Sequence, residues 1–372
     1  MKIGVPKETL RHEHRVGLTP FGVSKLVDLG HDVFVQSDAG AAAHFADADY
    51  AQAGATIVYN ADEVFGRADV VAKVGALSAD EMALLRAETT ILGFHHLAVA
   101  GKEVVQAMVD RRLTMIGYEI CEDARGGRPV LAALSEIAGH MVIHVAGHLL
   151  ETSQGGRGVL LGGVAGVAPA TVLVLGAGVV GRTAASHLLA LGAHVILLDS
   201  DLAKLRDAIE RGCHDAVTAV SSPRNILRFA PVADVVVGAV LVPGGRAPFL
   251  IGEEMVKSMK SGSVIIDLAV DQGGCVETSR PTTPEQPTYK VHGVTHYCVP
   301  NMTTNVPRSA SRALGLAALP LITRLAESGP EAALRADAGL ARGAYSFRGR
   351  MVNELAAKAL GLAPSRLNDL LP

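Results

Sequence analysis

Tryptophan is absent from this 372-residue chain, and aromatic residues make up only 4% of it. Glycine (40 residues) and small aliphatic side chains take their place, and 49% of the chain is apolar. That composition suits a soluble α/β protein whose parallel sheets are buried on both faces and whose backbones approach closely. Cysteine is scarce. Cys121, Cys213, Cys275 and Cys298 are scattered without a CxxC pair. They read as reduced thiols of a cytoplasmic protein, with neither a disulfide framework nor a metal site. No basic run occurs and the net charge is −3, which argues against a nucleic-acid partner. No stretch of about 18 residues stays apolar, so no membrane span is expected. The opening "MKIGVPKETL" lacks the apolar core of a signal peptide.

Two series of alternating strands and helices are present instead. In the first, "KIGV" (2–5), "DVFVQ" (32–36), "TIVY" (56–59), "DVVAKV" (69–74), "TTILGF" (89–94) and "LTMIGYE" (113–119) read as strands. Helical segments lie between them, one opening on Ser78 and Glu81 at capping-box spacing. A helix over 131–151 follows, then a glycine-rich passage (153–169) that reads as a loop between domains. The second series runs through "TVLVLGAG" (171–178), "HVILLDS" (194–200), "DAVTAV" (215–220), "DVVVGAV" (234–240) and "SVIIDLA" (263–269). Ser222-Pro223 forms an N-cap and first-turn pair. After about residue 303 no strand pattern remains, and "FRGRMVNELAAKALG" reads as helix. Such a helical tail is expected to return to the first domain. The expectation is therefore two doubly wound, mostly parallel, Rossmann-like domains: 1–130 plus 305–372, and 131–304 with its connecting helix.

"VLVLGAGVVGRTAA" places Gly176, Gly178 and Gly181 in G-x-G-x-x-G spacing between a strand and a helix, with Val179 and Val180 in the turn. Such a turn lets a backbone approach a pyrophosphate at a helix N-terminus. Asp199 ends the next strand, where a carboxylate accepts from a ribose 2′-OH and repels a 2′-phosphate. NAD is thus the expected cofactor.

"ILGFHHLAVA" (91–100) ends an apolar run on His95 and His96, holding an imidazole at the lip of a sheet. With "IGVPKE" and "E-x-RV-x-LTP" (3–20), "HLA" (96–98), "YE" (118–119), "SEIAG" (135–139), "QGGRGVLLGGVAGV" (154–167), "GAVLVPG" (238–244) and "IDLAVDQGGCVE" (266–277), the chain resembles the L-alanine dehydrogenase family. That family includes the NAD-binding part of proton-translocating transhydrogenase. The resemblance implies an active site between the domains, a homohexamer, and reversible reductive amination of pyruvate. It implies that Arg15 holds the substrate carboxylate, that His96 and Asp271 are catalytic, and that Leu134 and Asn301 lie beside the substrate. Ser135, Asp199 and Lys204 fall on cofactor contacts, with further contacts around Val240, Leu241, Asp267, Val299 and Met302.

One departure bears on the substrate. Gly75 stands where the family carries a substrate-binding lysine. Lys73, two residues earlier on the same strand face, is then the nearest cation and is expected to reach round. His95 reads as structural. His140, His144 and His148 share a helical face, read as packing or a polar contact because no third-ligand motif lies near. Besides an alanine-type dehydrogenase, two classes remain open: a relative acting on another amino acid, 2-oxo acid or imine, and a non-catalytic NAD-binding module.

Overall fold

The computed structural model describes residues 1–241 and 247–371, and its contacts divide the chain into two compact units. Met1–Leu134 joins Thr304–Pro372 in one, and Ser135–Thr303 forms the other. The first unit opens with β1 (Lys2–Val5), β2 (Asp32–Gln36), β3 (Thr56–Val58), β4 (Val70–Ala72), β5 (Thr90–Gly93) and β6 (Thr114–Gly117). These six pair in the parallel order β6-β5-β4-β1-β2-β3. Their helices start where the sequence predicts. Ser78 Oγ accepts from the Glu81 N–H while the Glu81 carboxylate accepts from the Ser78 N–H, closing the capping box.

The second unit carries β7 (Thr171–Leu175), β8 (His194–Asp199), β9 (Val217–Val220), β10 (Val235–Gly238), β11 (Val264–Asp267), β12 (Thr288–Val291) and β13 (Val294–Tyr297). They order β12-β13-β11-β10-β7-β8-β9. All pairs are parallel except the β12–β13 hairpin. This is the doubly wound arrangement with its topological switch point between β7 and β10. Along β7, Val172 and Val174 enter one core and Leu173 and Leu175 another, so both faces of the sheet are covered. Ser222 caps the helix Pro223–Phe229 as its sequence predicts.

Four expectations need correction. The tail is not wholly helical: β14 (Ala344–Phe347) and β15 (Arg350–Met351) form a hairpin that adds antiparallel to β6, and the next helix begins only at Glu354. Arg348 and Gly349 between them both have positive φ (47° and 77°), the backbone of a two-residue hairpin turn. The β12–β13 hairpin, also unread, turns the same way on His292 and Gly293. The glycine-rich passage lies wholly within the second unit, because that unit already begins at Ser135 inside the helix Pro129–Leu150. Finally, residues Pro129–Leu149 of that helix are long and apolar enough to cross a membrane by length and composition. The helix sends Val142, Ala146, Leu149 and Leu150 into the core of the second unit. Its other side carries His140, His144 and His148, all exposed.

Candidate active site

In the second unit the chain leaves β7 through Gly176, whose φ is +103°. A Cβ there would sit 2.5 Å from the Ala239 carbonyl oxygen, and one at Gly181 would overlap the Gly176 carbonyl. The turn therefore closes only with glycine at both positions. Gly178 begins the 12-residue helix Val179–Ala190 with no side-chain cap, and the space where its Cβ would lie is open. Uncapped N–H groups facing open space at the switch point suit a pyrophosphate.

Asp199 ends β8 at 8% exposure. Its Oδ2 accepts from the Ala177 N–H (2.7 Å) and its Oδ1 from the Asp201 N–H (2.8 Å). The phosphate turn and the acid are thus braced against each other, and both oxygens keep acceptor capacity for ribose hydroxyls. Lys204 is exposed on the helix Leu202–Glu210. Val240 is half-buried and Leu241 exposed just beyond β10. Residues 242–244 of the "GAVLVPG" motif lie outside the described residues. Val299 and Met302 send their side chains into the core, so only their backbone is offered. Ser135 is half-buried on the long helix.

Asp267 spends its carboxylate on its own loop, accepting from the N–H groups of Ala269, Cys275 and Val276 (3.0, 2.9 and 3.2 Å). That fixes the loop presenting Asp271, which is exposed and accepts from the Asn301 N–H at 3.3 Å. Asn301 is itself left-handed, φ 49°. The structure therefore brings Asp271 and Asn301 together.

In the first unit the switch point falls between β1 and β4. Glu8, just past β1, accepts from the Val74 N–H (2.7 Å) and the Gly75 N–H (3.3 Å). Lys73 is fully buried, its Nζ 2.6 Å from Glu81 and 3.3 Å from Glu8. Burial, only partly offset by Lys73, raises the Glu8 carboxyl above its ordinary range. This geometry assigns Lys73 to the core rather than to a substrate, a correction to the expectation that it reaches round. A Cβ on Gly75 would meet Leu10 Cδ1 at 2.6 Å and Glu8 Oε2 at 3.4 Å. Arg15 is 4% exposed and grips Glu13 with a fork, Nε to Oε1 at 2.7 Å and a terminal nitrogen to Oε2 at 2.5 Å. Leu134 is buried on the long helix.

His96 follows β5 in a left-handed conformation, φ 44° and ψ 44°. Its side chain is 51% exposed, and its backbone N–H donates to Glu119 Oε1 at 2.7 Å. His95 turns inward, fully buried, with Nε2 3.3 Å from the Ile91 carbonyl, and burial lowers its pKa. Glu119, part of the quoted "YE" but given no role from sequence, and Tyr345, on the unread hairpin, are the functional candidates the sequence reading missed. Only the "YE" pair carried a signal. Among the described residues no group of three or more His, Cys, Asp or Glu is placed to hold a metal.

Comparison with known proteins gives concordant matches. Residues 4–138 match the family model described as "Alanine dehydrogenase/PNT, N-terminal domain", and residues 142–354 match "Alanine dehydrogenase/PNT, C-terminal domain". The chain is 44% identical to an alanine dehydrogenase of Halomonas elongata and 42% identical to that of Mycobacterium tuberculosis, over 97% of each chain. A solved L-alanine dehydrogenase superposes with a TM-score of 0.91 at 42% identity, covering 97% of this chain and 99% of that one. A transhydrogenase structure from Sinorhizobium meliloti follows at 0.80 and 26% identity, covering 95% and 99%.

Proposed function

The chain belongs to the alanine dehydrogenase/PNT family, and from that premise we infer that it catalyses the NAD-dependent, reversible oxidative deamination of L-alanine to pyruvate and ammonia. The observation that carries this reading is whole-length identity of 40–44% to several alanine dehydrogenases, together with a glycine turn closed to side chains at Gly176 and Gly181 and open at Gly178.

The residues fit a bound dinucleotide. The uncapped helix start at Val179 and Val180 holds the phosphates, and Asp199 holds the ribose and favours NAD over its 2′-phosphorylated counterpart. Ser135, Lys204 and the backbone around Val240, Leu241, Asp267, Val299 and Met302 complete the cofactor set. A dinucleotide held by these residues would supply the hydride acceptor and donor for C2 of the substrate. Arg15 holds the substrate carboxylate with its planar fork, in competition with Glu13. His96 gives a proton to the carbonyl oxygen in amination and takes it back in deamination. Asp271, beside Asn301, positions the ammonia or water that adds at C2. Leu134 contacts the substrate side. We place the protein in the cytoplasm as a homohexamer, which light scattering tests directly; four buried, unpaired cysteines agree with a reducing compartment.

A second reading rests on one observation. At Gly75 no cation projects, Leu10 overhangs the position, and Lys73 is committed to Glu8 and Glu81. Another amino acid or 2-oxo acid is then the natural substrate of the same chemistry. Steady-state assays with NADH, ammonia and a panel of 2-oxo acids separate these readings. Pyruvate as the best acid supports the first, a larger acid supports the second, and no turnover with any acid points to a non-catalytic NAD-binding module.

A further inference from the structure

Glu119 is a carboxylate at 9% exposure. Among the described residues its one ion-pair contact within 4 Å is His96 Nδ1, at 3.9 Å. A buried carboxylate without a permanent cation is costly to keep. The His96 ring is the group placed to face that carboxylate. Glu119 Oε1 also accepts from the His96 backbone N–H at 2.7 Å and from the Tyr345 hydroxyl at 2.8 Å. One oxygen thus ties the histidine's backbone, the neighbourhood of its ring and a third element together.

Tyr345 lies on β14, which pairs with β6. Its ring, 3% exposed, packs over Gly117, where any Cβ would overlap it. The missing side chain at 117 is what seats the ring, and the seat aims the hydroxyl at Glu119. Burial first, and the adjacent carboxylate second, push the phenol far above its ordinary range, so it stays a donor. His96, meanwhile, holds a left-handed backbone that non-glycine residues adopt only when their surroundings impose it.

We propose that Glu119 and Tyr345 are positioning residues for His96: Tyr345 fixes the Glu119 carboxylate, which holds the His96 backbone in its left-handed turn and stands as counter-ion to its ring. The proposal rests on the reading of His96 as the acid–base group. Both act through His96, so removing either should misplace the imidazole and leave carboxylate and cofactor binding alone.

Two variants test it, Tyr345→Phe, which removes one oxygen, and Glu119→Gln, which keeps an acceptor but not the charge. Two measurements are made on the full chain. The first is backbone hydrogen–deuterium exchange of the peptide covering residues 94–99. The second is kcat and KM for alanine with NAD, beside NADH affinity by fluorescence. Both variants are expected to exchange faster at that peptide. Each should lose about tenfold or more in kcat, with KM for alanine and NADH affinity unchanged. Exchange unaltered in both variants overturns the proposal, as does faster exchange with unaltered kcat, or a kcat loss matched by equal losses in KM and NADH affinity. A wild-type chain inactive on alanine removes the functional reading instead, and the exchange result still decides the positioning.

Discussion

His96 pays for its place at the lip of β5 with a left-handed backbone, a conformation costing about 1–3 kcal/mol that persists only where surroundings impose it. Its neighbour His95 turns the other way, buried with Nε2 near the Ile91 carbonyl, so the two adjacent rings have separate environments and only that of His96 is open to solvent. Removing the imidazole with His96→Ala should lower kcat by about 10²–10⁴-fold, the range for a lost general acid–base group. NADH affinity should stay as it was, because the phosphate turn and Asp199 are untouched. Parallel loss of both would mark the histidine as structural. Asp199 supports a different expectation. Without its carboxylate the ribose loses charge-assisted hydrogen bonds worth about 1.5–3 kcal/mol, so Asp199→Ala should weaken NADH roughly 10- to 150-fold. NADPH, which the carboxylate repels, should lose far less. Titrating both cofactors against both proteins measures the ratio, and an unchanged ratio would contradict the role.

At the scale of elements, most of both sheets was legible because buried parallel strands are short runs of β-branched residues flanked by turn chemistry. β2 has the ends its sequence suggests, Asp32–Gln36, and the capping box at Ser78 and the Ser222-Pro223 start form as read. The unread elements share one cause. Both missed hairpins turn on X-Gly pairs, His292-Gly293 and Arg348-Gly349, with positive φ at each residue. Asn or Asp before the glycine is the recognisable signal, and a histidine or arginine there hides it. Tyr345 was lost with its strand, and Glu119 because only tertiary pairing shows what a carboxylate after β6 holds. Lys73 was misread for a related reason: strand periodicity gives its face but not that two carboxylates, Glu8 and Glu81, wait there. The glycine turn makes the sharpest test at this scale. A methyl group at residue 181 would overlap the Gly176 carbonyl, so Gly181→Ala must open the strand–helix junction. The expected result is loss of the NADH-induced rise in thermal midpoint, with the unliganded midpoint also lowered. A ligand at 100 times its dissociation constant stabilises by about 2.7 kcal/mol, so an intact rise in the variant would mean the dinucleotide binds elsewhere.

The molecule as a whole consists of two units, each with its own sheet and each with a buried histidine. His95 lies just past β5, with Glu119, His96 and Lys73 as the charged or titratable groups acting on it. His296 lies in the second unit, its Nε2 2.8 Å from Thr278 Oγ1, facing Asp267 and His292. Burial lowers both below the ordinary 6.5. In the unfolded chain both imidazoles take a proton near pH 6.5; in the folded chain they resist it. The unfolded state therefore binds more protons below that pH, and stability falls as pH falls through it. Glu8, whose folded carboxyl is raised above 4.5, works the other way: its penalty is present at neutral pH and relieved on acidification. His31 and His140, also lowered chiefly by burial, add in the same direction, so urea unfolding between about pH 7.5 and 5.5 should show a lower midpoint at pH 5.5 with its slope unchanged. His95→Gln and His296→Gln, which can each keep a hydrogen bond without the titration, should each flatten that dependence in the unit that carries it. A midpoint that is the same at both pH values in the wild type would contradict the assignment of this dependence to the buried rings.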